Sequence, residues 1–305
     1  MKILFLANGA FAVPTLEALR EAGHAIRLIA LPDPPKRKRG QAVQSPVVAW
    51  AREKGIGFEQ AKDLKDLAFL DSIRNDAPDV GFAVDYGKKI PQELFRIPKA
   101  GTWNLHPSLL PKWRGAAPIQ WSILSGDLRT GVTLFQLVER MDAGPIGAQQ
   151  EAEIRPEEDA PSLEKRMTHL AAGLALEKLV DLAFGSIRPA PQNDTHATHA
   201  RKLAKEDGKI DWSEPAEAIE RKSRAFRPWP GLYTTWTHPK RGKIQLGIEQ
   251  VGSRSSPSLQ MGKVLIDADR IFVGTSRGVL QILRLRPEGK DPMDSSEFLR
   301  GYPLK

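Results

Sequence analysis

The sequence predicts an open, mostly parallel α/β sheet followed by a smaller antiparallel β domain. Three observations predict it. Short apolar runs alternate with amphipathic stretches over residues 1 to about 150. Beyond residue 200 the pattern changes to short strands punctuated by Gly, Asp and Pro. The excess of basic residues lies almost wholly in that second part.

Taken in order, Met1 to Ala7 is the first strand. Lys2 precedes Ile3-Leu-Phe-Leu-Ala7 in the manner of a secretion signal, but the apolar run is too short, Asn8-Gly9 interrupts it and an amphipathic helix follows. Pro14 to Ala22 is that helix, Ala25 to Leu31 the second strand and Pro46 to Glu53 the next helix. Val80 to Val84, Thr102 to Leu105 and Val132 to Leu137 are further strands, with a helix over Ala116 to Ser125 behind Gly115. Leu163 to Ala183 reads as a long helix whose apolar positions, Leu170, Leu174 and Leu176 among them, pack on the sheet. Ser186 to Thr198, rich in Pro, Asn, Asp and Thr, reads as a linker. The distal part offers a short helix near Pro215 to Ser223. Strands follow at Tyr233 to Trp236, Ile244 to Val251, Gly262 to Ile266, Arg270 to Val273 and Val279 to Leu285, a pattern that suggests a small antiparallel barrel. The expected division is therefore residues 1–185, a linker over 186–204, and a distal domain over 205–305. No apolar run approaches the roughly 18 residues that a membrane span needs.

With 305 residues, 41% of them hydrophobic, the chain is long enough for one large or two medium cores. It has no cysteine, which excludes disulfides and thiol catalysis and fits an intracellular, cytoplasmic protein. Residues 1–200 carry 25 basic and 24 acidic side chains, whereas 201–305 carry 20 and 13. Cations that neutralise phosphates supply most sequence-independent nucleic-acid affinity, so the distal domain is a candidate for contacting a nucleic acid. Lys36-Arg-Lys-Arg39, which precedes Gly40, is a second basic cluster, on a loop following a strand's carboxyl end.

The candidate chemistry lies between Gly101 and Gly144. Asn104 and His106 are two apart on a strand and so share a face. In a parallel sheet the order strand, helix, strand would bring Asp142 back beside His106 at the carboxyl edge. An amide, an imidazole and a carboxylate together suit acyl transfer. The amide stabilises the oxygen that becomes negative in a tetrahedral intermediate, and the other two steady or move a proton. No protein nucleophile is evident, because cysteine is absent and no Gly-x-Ser-x-Gly elbow occurs, so the attacking group belongs to the substrate. The same residues also have an ordinary reading, as polar groups at a strand end and a turn former before Gly144.

Asn104-Leu-His106-Pro-Ser-Leu-Leu-Pro111, with Lys112-Trp-Arg114-Gly115 behind it and Asp142-Ala-Gly144 further on, resembles the folate-dependent formyltransferases that use 10-formyltetrahydrofolate. Within that family, four further blocks are similar to the members that act on methionyl-tRNA. They are Phe11-Ala-Val-Pro-Thr-Leu-Glu-Ala-Leu19, Ala116-Ala-Pro-Ile-Gln120, Lys205-Glu-Asp-Gly-Lys-Ile-Asp-Trp-Ser213 and Arg224-Ala-Phe-Arg-Pro-Trp-Pro-Gly231. The resemblance spans nearly the whole chain, in order. It implies a Rossmann-like catalytic domain and a second domain similar to an OB fold. It also implies catalytic roles for Asn104, His106 and Asp142, with Asp142 positioning His106 and a proton-relaying water. Ser108, Leu109, Leu110 and Pro111 would border the folate, largely through backbone contacts, with Tyr86 and Gly87 nearby. Lys36, Arg37, Lys38 and Arg39 would approach the acceptor arm of the tRNA. The implied partners are initiator methionyl-tRNA and the folate co-substrate, with no metal and a monomeric chain.

Two blocks depart from the usual pattern of the tRNA-acting members. Ala7-Asn-Gly-Ala-Phe11 stands where Gly-Thr-Pro-Asp/Glu-Phe is usual, and Val138-Glu-Arg-Met-Asp142 replaces Met-Asp-x-Gly-Leu-Asp. The second departure is similar to the formyltransferases of sugar-nucleotide amines, which are the alternative reading. His196 and His199 have a spacing that metals can use, but no third ligand is evident. Asn8-Gly9 lacks the remaining glycines of a dinucleotide-binding turn. Trp229, between two prolines, reads as a structural corner, with base stacking as the other use of such a ring.

Overall fold

The computed structural model describes residues 1–32, 44–238, 242–255 and 259–302; Lys36, Arg37, Lys38 and Arg39 lie outside the described residues. The chain divides into two compact units. The first comprises Met1–Pro118, Arg129–Glu153 and Glu164–Ala200; the second comprises Ile119–Leu128, Ile154–Leu163 and Arg201–Lys305.

The elements run β1 (Lys2–Ala7), α1 (Val13–Glu21), β2 (Ala25–Ala30), α2 (Pro46–Glu53), β3 (Phe58–Gln60), α3 (Leu67–Asp76), β4 (Val80–Val84), α4 (Gln92–Phe95) and β5 (Thr102–His106). Then come β6 (Arg114–Gly115), α5 (Pro118–Ser125), β7 (Arg129–Gln136), β8 (Ile146–Glu153), α6 (Ala160–Ala183) and β9 (His199–Ala200). Seven strands form one sheet in the order β3-β2-β1-β4-β5-β7-β8. The strands β1 to β5 are parallel, and Ile3 to Ala7 and Val80 to Val84 are buried throughout, as strands covered on both faces must be. Local chemistry starts the helices: Ser45 accepts from the Val48 amide ahead of α2, and Asp66 accepts from Phe69 ahead of α3. The strand order reverses between β1 and β4, so the carboxyl ends of these strands flank the crevice where open α/β sheets bind ligands.

One expectation fails here. β7 runs antiparallel to β5, with Thr133 opposite His106 and Gln136 opposite Trp103. A parallel return needs a crossover that carries the chain back along the sheet. Here the chain enters β7 at the carboxyl end of β5 and can only run back down it. Asp142 therefore reaches the site from the loop between β7 and β8. α6 carries a second correction. Leu163, Met167, Leu174 and Leu179 are buried at helical spacing, but Leu176 falls off that face and is 37% exposed.

In the second unit α7 (Ala216–Ala225) precedes β10 (Leu232–His238), β11 (Gly242–Arg254), β12 (Val264–Asp267), β13 (Arg270–Gly274), β14 (Val279–Pro287), β15 (Met293–Asp294) and α8 (Ser295–Gly301). The sheet is antiparallel, in the order β10-β11-β14-β13-β12 with β15 on β14, and β11 shifts register between Ile248 and Val251. Phe298 of α8 is fully buried and stacks on Tyr302, with Trp236 edge-on to both rings. Among the described residues no helix is long and apolar enough to cross a membrane.

Candidate active site

The site forms where β5 ends. The loop that follows and the loop between β7 and β8 meet around one imidazole. His106 is 5% exposed; its Nε2 lies 2.9 Å from the Trp113 carbonyl, and its ring meets Phe135 edge-on. A carbonyl only accepts, so Nε2 carries the hydrogen and the tautomer follows. It is this carbonyl that orients the ring. Nδ1 then faces Asp142, whose Oδ2 is 3.8 Å away. That is an electrostatic contact rather than a hydrogen bond. The same Oδ2 accepts from the Gly115 amide at 2.8 Å. Residues 113–115 thus hold both members of the pair. Asn104 is half-buried on the same strand, and no protein partner takes its side-chain amide among the described residues. Its donor is free for a substrate oxygen.

Tight backbone geometry holds these positions. Gly115 has φ of +125°, and a Cβ there would meet the Ala200 carbonyl at 2.5 Å, so only glycine fits. Asp85, Trp113 and Asp142 all adopt positive φ, at a cost of about 1 kcal/mol or more each. Such conformations persist where the surroundings over-determine them.

The expected folate-bordering residues follow directly. Ser108 is fully buried and donates to the Lys112 carbonyl at 2.6 Å. The Thr133 hydroxyl donates to the Ser108 carbonyl and accepts from the Leu110 amide, while Gln149 donates to Thr133 and to the Leu110 carbonyl. The loop over Ser108 to Pro111 is thereby tied to β7 through Thr133 and to β8 through Gln149. Leu109 is half-buried, Leu110 is buried, and the Leu110–Pro111 bond is cis. Tyr86 and Gly87 leave β4, whose Ala83 pairs with Asn104, and so emerge beside the site. Tyr86 belongs to the buried cluster that includes Leu4, Leu6, Ile29, Phe69 and Leu94; burial pushes its phenol up to about 12, and the hydroxyl has no partner among the described residues.

Several contributors were invisible in sequence. Asp85 follows β4 at the strand-order reversal, and its carbonyl accepts from the Asn8 and Gly9 amides. Asp85 is an exposed residue whose carboxyl lies directly over Gly9. Desolvation pushes it up to about 6, against a hydrogen bond from the Phe11 amide and with added repulsion from Glu164. Trp113 and Gly115 act through backbone atoms, which residue type does not advertise. The stretch expected as a linker carries β9, which pairs in parallel with β6. It also places Gln192, Asp194 and Thr198 against the loops that carry Trp113, Arg114 and Asp142. The first unit also has a cleft of about 790 Å³ away from these residues, lined by Lys62, Lys65, Lys88, Lys89 and Arg96 together with Asp63, Glu93 and Glu139.

Comparison with known proteins decides what this arrangement belongs to. The formyl transferase family model matches residues 1–179, across the whole Asn104, His106 and Asp142 constellation, and the model of the formyl transferase C-terminal domain matches residues 202–303. The chain belongs to the formyl transferase family. The methionyl-tRNA formyltransferase of Thermus thermophilus is 36% identical to this formyl transferase over 302 residues, 99% of this chain and 96% of the relative. That of Acidobacterium capsulatum is 38% identical over 307 residues, covering 100% and 97%. Among solved structures, WlaRD, a sugar 3N-formyl transferase, superposes with a TM-score of 0.68 at 17% identity over 95% of this chain and 99% of its own. HypX from Aquifex aeolicus, in complex with tetrahydrofolic acid, superposes at 0.65 with 21% identity, where this chain spans 47% of that protein. At such identities these structures speak for the fold.

Proposed function

We propose that this formyl transferase moves the formyl group of 10-formyltetrahydrofolate to the free α-amine of methionine on initiator methionyl-tRNA. The observation that carries the reading is identity of 35–38% to methionyl-tRNA formyltransferases over essentially the whole chain, both units included. The site supports the same chemistry, with an unpartnered amide, an oriented imidazole and an anchored carboxylate. The substrate amine attacks the formyl carbon, and the carbonyl oxygen gains charge beside the Asn104 amide. One such donor contributes about 3 kcal/mol in comparable sites. A proton on His106 Nδ1 adds to that stabilisation. Asp142 takes up the proton of the attacking amine through water and passes it to the folate nitrogen as the C–N bond to the formyl group breaks. General acid and base assistance of this kind is worth roughly 10² to 10⁴ in rate.

In this reading residues 1–185 hold the chemistry, Ser108 to Pro111 and Tyr86-Gly87 border the folate, and residues 205–305 with Lys36 to Arg39 engage the tRNA in the cytoplasm. The test offers methionyl initiator tRNA and an amino-sugar nucleotide as competing acceptors with 10-formyltetrahydrofolate. Formylated tRNA, formed less readily as salt rises, supports the reading; transfer to the sugar alone overturns it. Replacing Lys36, Arg37, Lys38 and Arg39 with Ala should raise the KM for tRNA and flatten its salt dependence. If both stay unchanged, the basic cluster has no part in binding.

A further inference from the structure

The loop that delivers Asp142 is held from a distance of some fifty residues. Gln192 Nε2 donates to the Asp142 carbonyl and to the Gly144 carbonyl, both at 2.8 Å. Its Oε1 accepts from Arg114 Nε at 3.0 Å and Nη2 at 2.7 Å. Arginine has no acceptor, so the guanidinium fixes which end of the amide faces it, and the two N–H groups must face the loop. Arg114 is itself 2% exposed, and its Nη2 also pairs with Asp194 Oδ1 at 2.8 Å. Asp194 grips Arg140 on the near side of the same loop. The backbone of Arg114 is pinned by a hydrogen bond from its amide to the Thr198 carbonyl. The next residue, Gly115, donates to the Asp142 carboxylate itself.

We infer that Gln192, oriented by Arg114, is a positioning residue that sets the height and angle of the Asp142 carboxylate against His106. The inference rests on the catalytic role proposed for Asp142. Asp142 sits at φ of +50° inside a turn closed by the Ala143 amide donating to the Arg140 carbonyl, and the carbonyls of Asp142 and Gly144 both end on one amide, which fixes where that turn lies. A glutamine does what neither an acid nor an apolar residue can do here: it accepts from a cation on one side and donates to two carbonyls on the other.

Gln192→Glu keeps the acceptor for Arg114 and removes both donors. Its kcat should fall about 10- to 100-fold, the cost of a misplacement near 1 Å, with KM for folate and for tRNA nearly unchanged. Introduced on top of Asp142→Ala, the same change should add almost no further loss, because the group it positions is gone. A purely structural role would lower activity equally in both backgrounds. Near-normal kcat in Gln192→Glu, or an equal loss in the two backgrounds, overturns the inference. Gln192→Met, which removes the donors without adding charge, repeats the test if the glutamate variant does not fold. Asp142→Ala alone separates the two readings: if it keeps turnover, the role of Asp142 fails, and if it is inactive while Gln192→Glu is normal, only the positioning role fails.

Discussion

Residues 104–115 and residues 192–200 form the two sides of one site, yet they differ in how openly they carry it. The first side holds an amide, an imidazole and a proline-bounded loop within a dozen positions, and two of its contacts are to its own neighbours: His106 on Trp113, Ser108 on Lys112. The second side is a polar stretch with no periodicity, and its contacts reach to Asp142, Arg114 and Trp113. A group is legible in sequence when its partners are local. It is illegible when the partner is a backbone carbonyl far away in the chain.

The sharpest way to test that contrast is to remove the legible groups. Asn104→Ala should cost about 10² to 10³ in kcat, as loss of one oxyanion donor does. His106→Ala and Asp142→Ala should each lose most turnover, with circular dichroism unchanged. Next in size is Gly115→Ala, which drives a Cβ against the Ala200 carbonyl across the seam between the two sides. It should lower stability by about 3 kcal/mol in urea unfolding, in the range of severe backbone strain.

Packing gives an intermediate pair. Leu174→Ala in α6 should cost about 2 to 4 kcal/mol, while Leu176→Ala, on the exposed side, should cost less than about 0.5 kcal/mol. Equal effects would mean that the helix presents a different face.

A further effect is tied to pH. The Asp85 carboxyl is raised in the folded protein, so the folded state favours its protonated form, and the ionised form costs stability as pH rises from about 4 to 6. Asp85→Asn should therefore match the parent below pH 4 and exceed it above pH 6. Because one side of the group meets solvent, the gain should be about 1 kcal/mol rather than the full value of the shift. A stability difference that does not change between pH 4 and 7 would mean that the carboxyl is not desolvated.

The positions of the main strands and helices were readable from hydrophobic periodicity, because a buried strand or an amphipathic helix writes its own pattern over six to twenty residues. The direction of β7 was not, since a strand has the same alternation whichever way it runs, and only where the chain re-enters the sheet decides it. The three candidate residues were readable in kind but not in mutual geometry. Residue types announce an amide, an imidazole and a carboxylate, whereas the tautomer of His106 depends on the Trp113 carbonyl and the place of Asp142 on Gly115 and Gln192.

Local propensity and residue chemistry thus determined by themselves many of the strands and helices, though not β3, α3, α4, β8 or α8, together with the two-part organisation and the kind of reaction the chain is equipped for. The tertiary structure alone decided the antiparallel turn of the sheet, the burial of Tyr86 and the recruitment of the 192–200 stretch. The physical reason is that each of these depends on backbone groups or surfaces far apart in the chain. A hydrogen bond to a carbonyl leaves no mark on the identity of the residue that owns it.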